Sequence, residues 1–176
     1  MKNYIDKTAI IGDGVEIGTN VTIGAYSVIH PNAKIGNNTN ISSHCVIYPD
    51  TEIGDNNKIY DQVIIGSDPQ DLQFDINKKT FVQILNNNII REHTSIHRST
   101  NEDKPTKIFN NTLVMANCHI GHDCILGNNV IMTNSSLLGG HCMIEDHAVL
   151  GGNSLIHQHV RIGKLSMTAG GARVSK

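Results

Sequence analysis

The stretch IDKTAI-IGDGVE-IGTNVT-IGAYSV-IHPNAK-IGNNTN-ISSHCV-IYPDTE-IGDNNK-IYDQVI-I, residues 5–65, places isoleucine at every sixth position. The column runs through Ile5, Ile11, Ile17, Ile23, Ile29, Ile35, Ile41, Ile47, Ile53, Ile59 and Ile65. A short fixed period is the mark of a solenoid. Neither the helical period of about 3.6 nor the strand period of about 2 demands six. A short strand plus a corner does, with one aliphatic side chain pointing inward from each flat face.

The other positions of the hexad agree. Side chains alternate along a strand, so the residue two before each isoleucine also faces inward. These are Ala9, Val15, Val21, Ser27, Ala33, Thr39, Cys45, Thr51, Asn57 and Val63; all but Asn57 are small or β-branched. Asparagine fills corner places such as Asn20, Asn37, Asn38 and Asn56, and it accepts left-handed backbone geometry better than most residues.

The column stops after Ile65 and returns out of phase at Ile84, Ile90 and Ile96. It then runs from Ile108 through Val114, Ile120, Leu126, Met132, Leu138, Ile144, Leu150 and Ile156 to Ile162. Two segments leave the repeat, about 67–83 and 97–107. Loops thrown out from a regular solenoid often lie on its binding face. Three hexads per turn predict a triangular prism of parallel strands, all-β and a single domain over 1–176, with residues 18 apart stacked on one another.

Composition narrows the function. The net charge of −2 and a pI near 6.5 argue against nucleic acid, which usually wants a basic face. No apolar run is long enough for a transmembrane helix, and the repeat begins too early for a signal peptide. The cytoplasm is the expected compartment. Cys45, Cys118, Cys124 and Cys142 all occupy inward small positions, so they read as core residues rather than as disulfides or a zinc site.

The repeat also sorts the ten histidines. The corners after Ile120, Leu138 and Ile156 are Gly121-His122-Asp123, Gly139-Gly140-His141 and His157-Gln158-His159. One edge therefore carries His122, His141 and His157 on consecutive coils, with His119 pointing outward just before it. The second loop re-enters at the same edge; arithmetic does not place the first. Histidine is a natural general base near neutral pH. Asp123 is positioned to orient His122, and the Gly140 N–H to meet a developing oxyanion. His30, His44, His93 and His147 read as solvated.

The segment Asn117-Cys118-His119-Ile120-Gly121-His122-Asp123-Cys124 resembles the N-x-H-I-x-H-D-C segment of the bacterial UDP-N-acetylglucosamine O-acyltransferases, members of the hexapeptide-repeat acyltransferases. Ile96-His97-Arg98, Gln70-Asp71-Leu72, Gly139-Gly140-His141 and His157-Gln158 match in the same order. The resemblance implies a left-handed parallel β-helix and a homotrimer. It also implies transfer of a 3-hydroxyacyl chain from acyl carrier protein to the 3-hydroxyl of UDP-N-acetylglucosamine, the first step of lipid A synthesis. In that scheme His122, Asp123 and Gly140 are catalytic. Gln70, Asp71, Gln73, His119, His141, His157 and Gln158 contact substrate, and Gly170 lies near the floor of the acyl groove. No metal and no cofactor of the enzyme's own are implied; the donor's phosphopantetheine belongs to the carrier protein.

Two departures stand out. Gln73 occupies a place where the family has lysine, and the sequence stops at Lys176 without the helical C-terminal region that such enzymes carry. They leave room for acylation of another nucleotide-linked amino sugar, with acyl-CoA or a carrier protein as donor. A γ-type carbonic anhydrase would call for two histidines five apart, a spacing no pair here has. A non-catalytic trimer is the remaining alternative.

Overall fold

In the computed structural model, which describes residues 2–175, the hexads become strands of two to four residues. Each strand pairs in parallel with the strand one coil later. Ile41 aligns with Ile59, Ile59 with Ile90, and Ile90 with Val114. Three parallel sheets of eight, nine and eight strands result. The first face begins with Tyr4–Ile5, the second with Ile10–Ile11 and the third with Glu16–Ile17. Together they form a left-handed prism, an exception to the usual crossover hand. Among the described residues there is no helix, and so none long and apolar enough to cross a membrane.

From Ile23 to Ile162 the aliphatic column is buried. Each such side chain contributes roughly 1.5–3 kcal/mol through removal from water. The four cysteines are free and buried in the same interior. Asn57, the polar exception, is paired: its Nδ2 donates to Leu85 O at 2.8 Å, and its Oδ1 accepts from the Asn88 N–H at 2.9 Å. Asn88 Oδ1 in turn accepts from the Thr112 N–H at 2.8 Å.

The corners turn through residues with φ near 60°, including Asn38, Asn56, Asn129, Asp123 and His141. On the edge between the third and first faces a second ladder runs outside. Asp55 Oδ1 accepts from the Asn37 N–H at 2.6 Å and Asn86 Oδ1 from the Asp55 N–H at 2.8 Å. Asn110, Asn128 and Asp146 repeat the pattern at 3.0, 3.2 and 2.7 Å. Each coil thereby satisfies a corner N–H that the strands leave open.

Both excursions leave from the second-to-third edge, on consecutive coils. The first lies between Ile64–Ser67 and Val82–Ile84, the second between Ser95–His97 and Thr106–Ile108. The strands thus reach slightly further than the column suggested, leaving loops of 68–81 and 98–105. Neither gap hides a missing rung: Ile84 directly follows Ile65 around the prism, and Ile108 follows Ile96. Gly66, with φ 89°, opens the first loop; a Cβ there would collide with Thr51 Oγ1.

Candidate active site

The histidine corners stack on the same edge, on the coils that follow the loops. His122 lies above Gly140, and Gly140 above Gln158. A Cβ on Gly140 would sit 2.5 Å from His122 Cε1. The missing side chain is therefore the seat of the His122 ring. No corner ladder like that of the third-to-first edge runs here. On the third-to-first edge this position holds asparagine or aspartate from Asn37 to Asp146; here it holds His122, Gly140 and Gln158. Gln158 is one methylene longer than asparagine, and among the described residues no group accepts from the Gly140 N–H.

Asp123 takes the left-handed place of its corner, with φ 60°. His122 Nδ1 lies 2.7 Å from Asp123 Oδ2. The second loop supplies the other partners of the carboxylate. Ser99 Oγ donates to Oδ1 at 2.6 Å, and Thr100 Oγ1 donates to Oδ2 at 2.8 Å. Thr106 Oγ1 accepts from the Asp123 N–H at 2.8 Å. Burial by itself raises the Asp123 carboxyl, but the hydrogen bonds from His122, Ser99 and Thr100 outweigh it and hold the group well below the usual carboxylate range. An ionised Asp123 fixes the proton of neutral His122 on Nδ1 and leaves the Nε2 lone pair free.

A groove of about 520 Å³ runs beside this pair. It brings together Gln70, His119, His122, Gly140, His157 and Gln158 of the expected site, together with His97 and two exposed leucines, Leu137 and Leu155. His119 Nδ1 is 2.8 Å from Ser95 Oγ, and its ring meets His97 edge-on at 4.7 Å. Burial lowers His119, and His122 adds to the effect. Burial, with His119 and His122 nearby, pulls His97 down to about 4. Both rings are therefore neutral at pH 7.

His141 stands at the rim. Its ring meets His122 edge-on at 5.0 Å, and its Nε2 lies 3.7 Å from Asp123 Oδ2. Burial lowers His141; Asp123 and Asp71 oppose that, while His122 and His159 reinforce it. Its stacking partner is His159, 4.5 Å away and 6° from parallel, rather than His157. Positions 141 and 159 are one coil apart and equivalent, so the repeat does identify the pair when read residue by residue. His157 instead faces the groove, its Nδ1 3.2 Å from Gln158 O.

Asp71 and Gln73 are exposed on the first loop and do not line the groove. Gly170 sits on the edge between the first and second faces, 3.5 Å from Gly152 O as measured from the place of a Cβ. His97, Ser99, Thr100 and His159 are the contributors that spacing alone missed. His122, Asp123 and His141 offer ligand atoms within 4.8 Å of one another. Both Asp123 oxygens in this trio already accept hydrogen bonds from Ser99 and Thr100.

Comparison with known proteins follows the same lines. The family described as bacterial transferase hexapeptide (six repeats) matches residues 2–31, 32–67 and 105–140. An acyl-[acyl-carrier-protein]–UDP-N-acetylglucosamine O-acyltransferase of Syntrophobacter fumaroxidans is 43% identical over 131 residues, covering 74% of this chain and 50% of the relative. Its counterpart in Thermodesulfovibrio yellowstonii is 45% identical over 133 residues, covering 75% and 51%. Among solved structures, LpxA from Acinetobacter baumannii superposes with a TM-score of 0.94 at 42% identity, covering 97% of this chain and 66% of that one. The chain spans about half the length of the curated relatives it matches.

Proposed function

The chain belongs to the bacterial hexapeptide-repeat transferases, and from that premise we propose that it moves a 3-hydroxyacyl chain from acyl carrier protein to the 3-hydroxyl of UDP-N-acetylglucosamine, the first step of lipid A synthesis. The observation that carries this reading is the His122–Asp123 pair at 2.7 Å, set beside an unclaimed Gly140 N–H in the groove.

His122 Nε2 takes the proton from the sugar 3-hydroxyl as its oxygen attacks the thioester carbonyl. Asp123 stabilises the imidazolium so formed. The carbonyl oxygen becomes an oxyanion and accepts from the Gly140 N–H. As the tetrahedral intermediate collapses, the C–S bond breaks and His122 returns its proton to the leaving thiolate. The acyl ester of the sugar and the free phosphopantetheine thiol remain. The proton is balanced within the cycle, and the step as written needs neither a metal nor a covalent enzyme intermediate.

The neutral rings of His119 and His141, with Asp71, Gln70, His157 and Gln158, hold the sugar and its diphosphate. Leu137 and Leu155 offer apolar surface for the acyl chain. The outward residues of the second face, Ile10, Val28, Val46 and Ile64, suit coverage by a neighbouring prism in a homotrimer. Acyl carrier protein and a nucleotide sugar are cytoplasmic molecules, and the enzyme works where they are.

A second reading, acylation of a 3-amino sugar nucleotide, is motivated by Gln73 standing where the family has lysine, on the loop that carries Gln70 into the groove; Gln73 itself does not line the groove. The experiment presents the protein with 3-hydroxyacyl carrier protein and either UDP-N-acetylglucosamine or its 3-amino analogue. An ester product supports the first reading and an exclusive amide product the second. Transfer to neither acceptor refutes both.

A further inference from the structure

The first loop has little of its own to hold it in place. Leu72 and Ile76 are exposed. Its internal bonds are local turns. Asp71 Oδ1 and O accept from the Gln73 and Phe74 N–H groups, and Asp75 Oδ1 and O accept from the Asn77 and Lys78 N–H groups. Such turns shape the loop but do not tie it to the prism. Yet Gln70 lines the groove, and Asp71 is near enough to bias the charge of His141.

One side chain from the next coil spans the gap. Arg98 Nε donates to Asp68 Oδ1 at 2.9 Å, on the outgoing stem of the loop. Its Nη2 reaches the same oxygen at 2.9 Å. Its Nη1 donates to Lys78 O at 3.1 Å, on the returning stem. The guanidinium lies 5.0 Å from the centre of the Phe74 ring, at the middle of the loop. The Arg98 N–H also donates to Ser67 O at 2.9 Å. Only 16% of the Arg98 side chain is exposed. The other ties, Lys79 Nζ to Asp50 at 3.4 Å, the Lys79 N–H to Glu102 at 3.3 Å, and Phe81 O accepting from the Ser99 and Thr106 N–H groups at 3.4 and 3.3 Å, grip the returning stem only.

We propose that Arg98 is a positioning residue that clasps both stems and the middle of the first loop, and so sets Gln70 and Asp71 over the groove for the acceptor. A planar fork suits this role because it addresses a carboxylate, a carbonyl and a ring face at once, which a lysine cannot. Arg98 directly follows His97 in the strand beneath the groove, so the clasp ties the loop to the coil that carries one wall of the site. The part of the proposal that concerns the acceptor rests on the acyltransferase reading above.

Two measurements on Arg98→Met and Arg98→Lys test it. Hydrogen exchange reads the loop without any substrate. Exchange of the Phe74 and Lys78 amides speeds up about tenfold in Arg98→Met, the effect of losing one charge-assisted hydrogen bond, and less in Arg98→Lys. Kinetics read the site: KM for the nucleotide sugar rises about tenfold in Arg98→Met while kcat falls by clearly less. A melting temperature near that of the wild type assigns both effects to the loop. Unchanged exchange in Arg98→Met overturns the clasp. Faster exchange with an unchanged KM overturns its role in acceptor placement. Wild-type protein that transfers to neither acceptor, with Arg98→Met still loosening the loop, refutes the acyltransferase reading and upholds the clasp.

Discussion

Two edges of this prism are made of equivalent positions and do opposite things. On the third-to-first edge, asparagine or aspartate recurs at one corner place, and each Oδ1 caps the N–H of the coil before it. That edge consumes its own polar groups. On the second-to-third edge the same place holds His122, Gly140 and Gln158. No such ladder runs along this edge, a ring fills the space of a missing side chain, and among the described residues a backbone donor stays unclaimed. The difference teaches that the site occupies an edge without the self-satisfying pattern rather than adding to that pattern.

The strongest test asks whether both edges hang on one column. Ile41 is wholly buried, so Ile41→Asp places an unpaired charge in the interior and costs more than about 4 kcal/mol. An unchanged urea midpoint would show that the column is not the core. Next, His122→Ala removes the base from the second-to-third edge alone. Transfer then falls by about a thousandfold while the thermal midpoint stays near the wild-type value; near-normal turnover would sink the assignment. Subtler is Gln158→Asn, which places the ladder's side chain beneath Gly140. It is expected to cap the Gly140 N–H, slow transfer about tenfold and raise stability by about 1 kcal/mol. Faster turnover in that variant would erase the proposed difference between the edges.

The smallest effect is a pH dependence. His97 is held near 4 in the folded state and returns to about 6.5 when unfolded. Its folded pKa is depressed, so the unfolded chain binds the proton more readily. Stability is full above about pH 6.5 and is lost as pH falls toward 4. A His97→Phe variant flattens that slope in thermal melts between pH 4 and 7, and an unaltered slope would show that His97 is not buried as a neutral ring.

Much of this was legible because the hexad is a ruler. It gave the column, the inward cysteines and the edge holding His122 and His141. It did not locate the first loop, since an insertion of arbitrary length erases the phase that would have placed it. The pairing of His141 with His159 escaped because corners were compared as blocks, while side chains stack one position on the next. Ser99 and Thr100 escaped for a different reason: an excursion has no period, so nothing in its spacing says that it folds back onto Asp123. Asn37 reads in the sequence as a residue that tolerates a left-handed turn, but Asn38 beside it takes that geometry. The actual duty of Asn37, Asn110 and Asn128, capping the neighbouring coil, appears only once coils are stacked.

The stacking of like on like also bears on how the chain assembles. Partners across an undisturbed coil are 18 residues apart, as in Thr39 and Asn57; across the first loop they are 31 apart, as in Asn57 and Asn88. Loop-closure entropy grows only with the logarithm of that separation, so the excursion adds about 0.5 kcal/mol to closing its coil. Each later strand still docks on the one before it, and growth of the prism is a zipper whose teeth are nearly equal. An edge of such a zipper can acquire a long loop with almost no penalty in folding, which is a physical reason for substrate-facing segments to be inserted at a corner rather than built into a face.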